Sequence, residues 1–495
     1  MRLSLDGSDI TLSEFLAAVA QPELPEFSAE TWDRIAQDRT IVDRLASSDE
    51  PVYGLNTGLG ANLGHRLVAD EISEFQASLI AGRDVATGRP MSAQVGRAMI
   101  LSRIVSAARG GSGISTQMLE HLANVFGSGL APLVPEFGSI GAGDLTQNAA
   151  MAQALIGKGQ FLQEGVGIAA DTALEKAGLT LPKLLPKDAM ALINHSGLTV
   201  ALSGLALGRA RTLIHAARRV IVLSFEGFAA NPSILDKEIN SLRNAPGQAR
   251  AAQWFREALA GSRISPQRIQ DAISFRTISC VTGAAETALD HAISVFETEL
   301  NGLSDSPVVL IDGRMASSPN FHSPALALAL ENLSLAIAMM ASGGFQRVQR
   351  MMNPTLTGLA KYLSPVGGAS AGMVPMQKTA AALLGDIRRA AIPVSFDAMP
   401  VSDTVEDLAP MTPAAAHKLD HQLDPFRLLL SIEAMVAAQA IDLREPLAIA
   451  ELSGDLHRKI RQVSARLECD RALGSEIELV ATVIEESVGA ALESV

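Results

Sequence analysis

Four stretches of this chain are apolar on nearly every helical face: residues 201–216, 279–300, 324–342 and 423–442. A surface helix keeps one polar face, whereas a helix without one needs neighbours on most sides. Long segments of small and aliphatic residues therefore read as the rods of a helical bundle. One chain cannot easily bury four of them, so the bundle is expected to be shared between copies of the chain. The most apolar run, 325–343, is interrupted by Glu331 and Asn332. It reads as a buried bundle helix and not as a membrane span.

Composition agrees with a mainly α protein. Of 495 residues, 48% are hydrophobic but only 4% aromatic, a usage that favours closely packed helices over sheets. The formal net charge of −13 disfavours nucleic-acid binding, which needs a basic face. The two cysteines, Cys280 and Cys469, form no CxxC pair, and the nine histidines show no HExxH or tight ligand cluster. No metal is expected. A reduced, cytoplasmic setting is expected, because the first fifteen residues carry acidic groups and no long apolar run.

Two glycine-rich loops punctuate the first part of the chain. Residues 51–64, PVYGLNTGLGANLG, hold four glycines, and residues 135–144 read PEFGSIGAGD. Helical patterns lie between and after them, at 72–80, 93–108, 116–126 and 145–156. The organisation expected is an N-terminal region, 1–190, carrying both loops, followed by a central long-helix bundle and C-terminal helical region, 191–495.

Tyr53, in YGLNTGLG, is one of only two tyrosines. A phenol on such a loop acts as a general base if its pKa is lowered, or it is simply a packed loop aromatic. The run GSIGAGDL, 138–145, has neither the GK[ST] of a phosphate loop nor the spacing of a dinucleotide fingerprint. It is either an anion cradle at a helix N-terminus or an ordinary turn.

Taken together and in order, these segments resemble the histidine and phenylalanine ammonia-lyase family. YGLNTGLG is followed by GSIGAGDLTQNAAMAQALIGKG. Asn194 in ALINHSG is similar to the family's Asn-Gly-Thr segment, and Arg276 in QDAISFR to its Gln-Asp-x-Tyr-Ser-x-Arg segment. ELNGLSDSPV, with Asn301, and NFH, with Asn320 and Phe321, are similar to two later motifs. TAAALLGD and VEDLAPM, holding Glu406, follow, so the resemblance runs from Tyr53 to Met411. It implies the long-helix bundle of the ammonia-lyase/fumarase type with few short strands. It also implies a homotetramer in which each active site is built from three subunits.

The departures from the family pattern bear on chemistry. Family ammonia-lyases cyclise an Ala-Ser-Gly tripeptide into a methylidene-imidazolone electrophile, whose methylidene carbon comes from the serine. Here the segment reads Gly141-Ala142-Gly143-Asp144, one residue short, and the missing residue is that serine. The electrophile serves to turn a primary amine into a leaving group. A quaternary trimethylammonium carries a permanent charge and departs as neutral trimethylamine, so it needs no such help. The chain therefore resembles the cofactor-less, ergothionase-like branch of the family, which eliminates trimethylamine from ergothioneine to give thiourocanate. Three further departures fit a changed substrate: Ile273 stands where the family has its second catalytic tyrosine, Arg83 where histidine-specific members have a histidine, and Lys378 where an aliphatic residue is usual.

The resemblance then implies roles. Tyr53 is the expected base at the β-carbon, and Lys378 with Glu406 form an ion pair at the ring, or alternatively the pair is structural or Lys378 is simply an exposed lysine. Arg276 clamps the carboxylate, and Asn194 supports it or the tyrosine. Ala142 and Gly143 line a pocket for the methyl groups. Phe321 is an aromatic wall for the cation or a core aromatic. Arg83 is a ligand contact or a solvated arginine beside Asp84, and Asn301 and Asn320 hold either ligand or helix ends. The alternatives are the same elimination from hercynine or another aromatic betaine, a non-catalytic homologue, and an ordinary ammonia-lyase with an unusual route to its cofactor.

Overall fold

The computed structural model describes every residue except 1, 49–51, 53–54, 56–68, 267, 397–399, 403–404, 445–447 and 493–495. It is mostly helical, 62% helix against 6% strand, as the composition requires. The long rods outrun their apolar cores. They span Gly197–Phe228, Ile278–Leu300, Pro324–Met351 and Thr412–Asp442. The first continues past the apolar pattern through Arg218 and Arg219, and the last begins at Thr412, well before its apolar stretch, and carries Pro425 inside it. Packing, not apolar periodicity, sets these ends. Strands among the described residues are two to four residues long and pair in sheets of two or three.

The chain divides into two compact units, each made of separated stretches: Met1–Gly208, Ala292–Leu330 and Pro393–His417 form one; Arg209–His291, Glu331–Ile392 and Lys418–Val495 form the other. This spatial division is of a different kind from the contiguous regions 1–190 and 191–495, because the long helices return the chain to each unit more than once.

In the first unit, the helix Ala93–Ala108 is buried around most of its circumference and carries Arg103 into the core. The Arg103 guanidinium grips Asp305 with two hydrogen bonds, 2.6 and 3.1 Å, and both side chains are wholly buried. Losing one partner of such a pair leaves a bare buried charge, a cost of about 3–5 kcal/mol. The Lys187 ammonium stands 4.0 Å from the same carboxylate and makes no hydrogen bond among the described residues. Burial lowers Lys187 to a pKa of about 8. The neighbouring Asp188 accepts from Ser115 N, Ser115 Oγ and Leu185 N at 2.8–2.9 Å, which fixes the start of the Asp188–Ile193 helix.

In the second unit, small residues let backbones touch. A Cβ on Gly247 would come 2.6 Å from the Gly283 carbonyl oxygen. Phe228 and Phe275 stack with ring centres 4.0 Å apart. Arg347 makes a bidentate pair with the buried Glu433, which also accepts from Ser224 Oγ.

Two helical stretches, Asp188–Phe228 and Pro324–Met351, are long and apolar enough to cross a membrane; 89% and 56% of their most apolar windows are buried within the protein. The first fits the expected core rod. The second leaves Leu328, Leu335 and Met339 exposed at 65, 50 and 59%. Their i, i+7, i+11 spacing puts them on one face.

Candidate active site

The GSIGAGDL corner is held by its own polar residues. Ser139 Oγ accepts from the Gly141 N–H at 2.9 Å and donates to Asp144 Oδ1 at 2.5 Å. Asp144 sits in the left-handed region (φ +48°) at the N-cap of Leu145–Leu155, yet does not cap that helix. Its carboxyl instead accepts from Thr199 N at 2.8 Å and Thr199 Oγ1 at 3.2 Å, in the first turn of Gly197–Phe228. Burial pushes Asp144 up, against the lowering effect of these hydrogen bonds. The chain's own carboxyl thus occupies the helix start.

Three segments are laced to this corner. Asn148 Nδ2 donates to the carbonyls of Gly143, Ile193 and His195 at 3.3, 3.1 and 2.7 Å. Asn194 Nδ2 donates to the Ser306 carbonyl at 2.7 Å. Ser196 N donates to Ser304 Oγ at 3.0 Å, and Ser196 Oγ donates to the Phe321 carbonyl at 3.2 Å. Ala142 and His322 form an antiparallel bridge. His195 is wholly buried, and burial holds its pKa well below the usual value. Its Nε2, 3.0 Å from the Leu192 carbonyl, therefore carries the proton of a neutral ring.

Gly143 is a tight point. Its φ is +86°, and a Cβ there would lie 2.3 Å from Asn194 Oδ1. The residues present do not fit a methylidene-imidazolone. The tripeptide has no serine to supply the methylidene carbon.

A cavity of about 730 Å³ opens next to Ala142. Phe321, His322, Asn320, Glu299 and Glu406 are among its walls. Glu299 comes from the last turn of Ile278–Leu300, and burial pushes its carboxyl up to a pKa of about 7. His322 Nε2 is buried without a hydrogen-bond partner among the described residues. The cavity is acidic and partly aromatic, and Lys and Arg are absent from its described lining.

The structure brings together Ala142, Phe321 and Glu406, with Gly143 and Asn194 beside them. Tyr53 lies outside the described residues. Asn301 requires correction as a substrate ligand. Its Oδ1 accepts from Ile10 N at 2.8 Å and Arg109 Nη2 at 2.6 Å, and its Nδ2 donates to the carbonyls of Ile10 and Glu297 at 2.9 and 2.8 Å. That is the full capacity of an amide, so Asn301 clasps the N-terminal segment to the end of its helix. Asn320 is exposed, its N–H bonded to Ser318 Oγ at 3.0 Å. Arg83 is half-buried near the end of its helix, its Nη1 3.4 Å from the Leu79 carbonyl.

Arg276 and Lys378 belong to the second unit. Lys378 is exposed, not buried as its pairing role presumed: the amphipathic helix Pro375–Ala390 turns Met376, Ala380, Leu384 and Ile387 inward and leaves Lys378 on the outer face. Arg276 and Ile273 point outward from the short helix Ile273–Arg276, while Phe275 anchors it. With the Gln270 amide oriented to satisfy its neighbours, its oxygen accepts from Arg276 Nη1 and Nη2 at 2.9 and 3.0 Å. Arg347 Nη1 donates to the Ser274 carbonyl at 3.3 Å, tying the same turn to Glu433. Sequence reasoning quoted Gln270 and Glu299 within motifs but gave neither a role. The signal available for Glu299 was a carboxylate two positions before Asn301.

A helical protein with these ordered motifs and this corner is a carbon–nitrogen lyase. The model of the aromatic amino acid lyase family matches residues 10–462, and the chain belongs to that family. It is 34% identical to histidine ammonia-lyase of Symbiobacterium thermophilum over 496 residues, 99% of this chain and 98% of that protein. Among solved structures it superposes on ergothionase from Treponema denticola, captured with desmethyl-ergothioneine sulfonic acid, with a TM-score of 0.94, 29% identity, and coverage of 98% of this chain and 99% of that one. Histidine ammonia-lyase from Trypanosoma cruzi gives a TM-score of 0.91 at 29% identity, covering 99% and 94%.

Proposed function

We propose that this protein eliminates trimethylamine from ergothioneine to give thiourocanate, without a methylidene-imidazolone cofactor. The observation that carries the reading is the corner itself: no serine stands between Ala142 and Gly143 to supply a methylidene carbon. A lyase with this corner is suited to a substrate whose amine already departs as a neutral molecule. The structural likeness to an ergothionase supports the same substrate class.

In this mechanism Tyr53 removes the proton from the β-carbon beside the thioimidazole. The ring takes up the developing charge, assisted by Lys378 and Glu406. Trimethylamine leaves the α-carbon, and a conjugated acrylate remains. Arg276, its guanidinium already held by Gln270, receives the substrate carboxylate. The exposed positions of Arg276 and Lys378, and the apolar face of Leu328, Leu335 and Met339, favour a homotetramer whose sites are completed between subunits.

The test is incubation of purified protein with ergothioneine, hercynine and L-histidine, following trimethylamine, ammonia and the conjugated acids. Equimolar trimethylamine and thiourocanate from ergothioneine, with nothing from L-histidine, is the expected result. Faster release from hercynine would move the substrate to that betaine. Ammonia from L-histidine, the reaction named for the sequence relatives, would overturn the reading.

A further inference from the structure

We propose that the carboxylate of Glu299 is the counter-charge that meets the substrate's cationic nitrogen. This rests on the betaine reading above and adds to it a residue to which no role has been given.

The placement comes first. Glu299 ends the Ile278–Leu300 helix and lines the same cavity as Ala142 and Phe321. That puts a carboxyl, the methyl-sized wall of Ala142 and an aromatic ring around one space. A quaternary ammonium asks for this combination. It has no N–H to donate, so it is recognised by charge, by aromatic faces and by apolar contact. The Glu299 carboxyl has no hydrogen-bond or ion-pair partner among the described residues. Its neighbours on the helix are otherwise engaged: Glu297 accepts from Leu12 N at 2.8 Å, and Asn301 is saturated by Ile10, Arg109 and its own helix.

The other titratable groups facing the cavity are His322, Glu406 and Asp407. Asp407 is exposed, so water screens it, while Glu299 and Glu406 are half-buried. Burial alone raises Glu299 to about 7, so near neutrality it exists as a mixture of acid and carboxylate. A permanent cation entering the cavity favours the carboxylate, and the acid fraction loses its proton to solvent. Binding of the cation and release of a proton are then one event.

The experiment uses the full chain and benzyltrimethylammonium, which has no carboxylate and no β-proton to lose. Calorimetric titration at pH 7 in two buffers of different ionisation enthalpy reads both affinity and proton release. The expected result is release of about half a proton per bound cation, since the free acid is near half-ionised there. Glu299→Gln is expected to abolish the release and weaken binding about tenfold, the equivalent of one pKa unit of interaction. Glu299→Asp restores part of both and guards against a misfolded glutamine variant. Unchanged affinity in Glu299→Gln, or no proton release from the wild-type protein, overturns the proposal. Turnover of ergothioneine by the wild-type protein is measured separately. Turnover with Glu299-independent binding removes only Glu299, whereas Glu299-dependent binding without turnover removes only the betaine-lyase reading.

Discussion

The side-chain oxygen of Asn194 stands 2.3 Å from the point where a Cβ on Gly143 would lie, while the Asn194 Nδ2 holds the Ser306 carbonyl at 2.7 Å. The two residues exclude each other's growth. Gly143→Ala therefore meets a positive φ, which costs roughly 1 kcal/mol by itself, and must also displace Asn194. The expected outcome is a melting temperature lower by a few degrees and kcat/KM down by at least about tenfold, since 1.4 kcal/mol is already a factor of ten. Inserting a serine between Ala142 and Gly143 is expected to leave the intact mass equal to the encoded chain, with no ammonia released from L-histidine.

Tyr53→Phe removes only a hydroxyl. If that phenol is the base, turnover falls by roughly 10²–10⁴-fold, the usual contribution of a positioned proton acceptor, while circular dichroism and melting are unchanged. Activity retained within a factor of a few would remove Tyr53 from the mechanism.

Arg276 donates from two nitrogens to Gln270 and presents its remaining donors outward. A lysine cannot reproduce that fork. Arg276→Lys is expected to raise KM by about 10–100-fold, as for a lost charge-assisted hydrogen bond of about 1.5–3 kcal/mol. Gln270→Ala, which frees the guanidinium without removing it, is expected to shift KM in the same direction by less. Steady-state kinetics on both variants decides whether the clamp depends on its holder.

Lys187 is wholly buried, without a hydrogen bond among the described residues, and its pKa is lowered from 10.5 to about 8. A depressed pKa on a cationic group means that the folded state disfavours the proton. The contribution to stability is present above pH 10.5 and is lost as pH falls through 8. Lys187→Met keeps the stem and removes the charge, so it is expected to stabilise the protein by up to about 3 kcal/mol near pH 7. The gain should shrink steadily towards pH 10.5. Thermal melts of both proteins across that range check it, and a variant less stable than the wild type at every pH would mean that the 4.0 Å contact with Asp305 outweighs desolvation.

The rods were legible because a run such as 201–216 has little polar face to present to water, and 89% of that rod's most apolar window is buried. Their ends were not legible. The stretches 201–216 and 423–442 stop short of Phe228 and start after Thr412, yet both helices run on through those residues. The absent serine could be read directly from the one-residue gap. The close approach of the Asn194 amide to Gly143 could not, because the two positions are fifty-one residues apart. Which of its two readings Asn301 takes was illegible for a related reason: a motif shows that an amide is there, but not that Ile10 and Arg109 already occupy it. Whether Lys378 pairs or stays exposed was left open by the motif; only the phase of Pro375–Ala390 shows which side of the helix it takes.

The Ser139–Asp144–Thr199 network holds the corner by hydrogen bonds alone. A corner closed by a covalent ring has a history: it must be made after folding, in a separate slow reaction, and a chain that has not completed it is inactive. A corner closed by hydrogen bonds is finished when the chain folds. Freshly synthesised and refolded protein should therefore be indistinguishable from mature protein, with no lag before full activity.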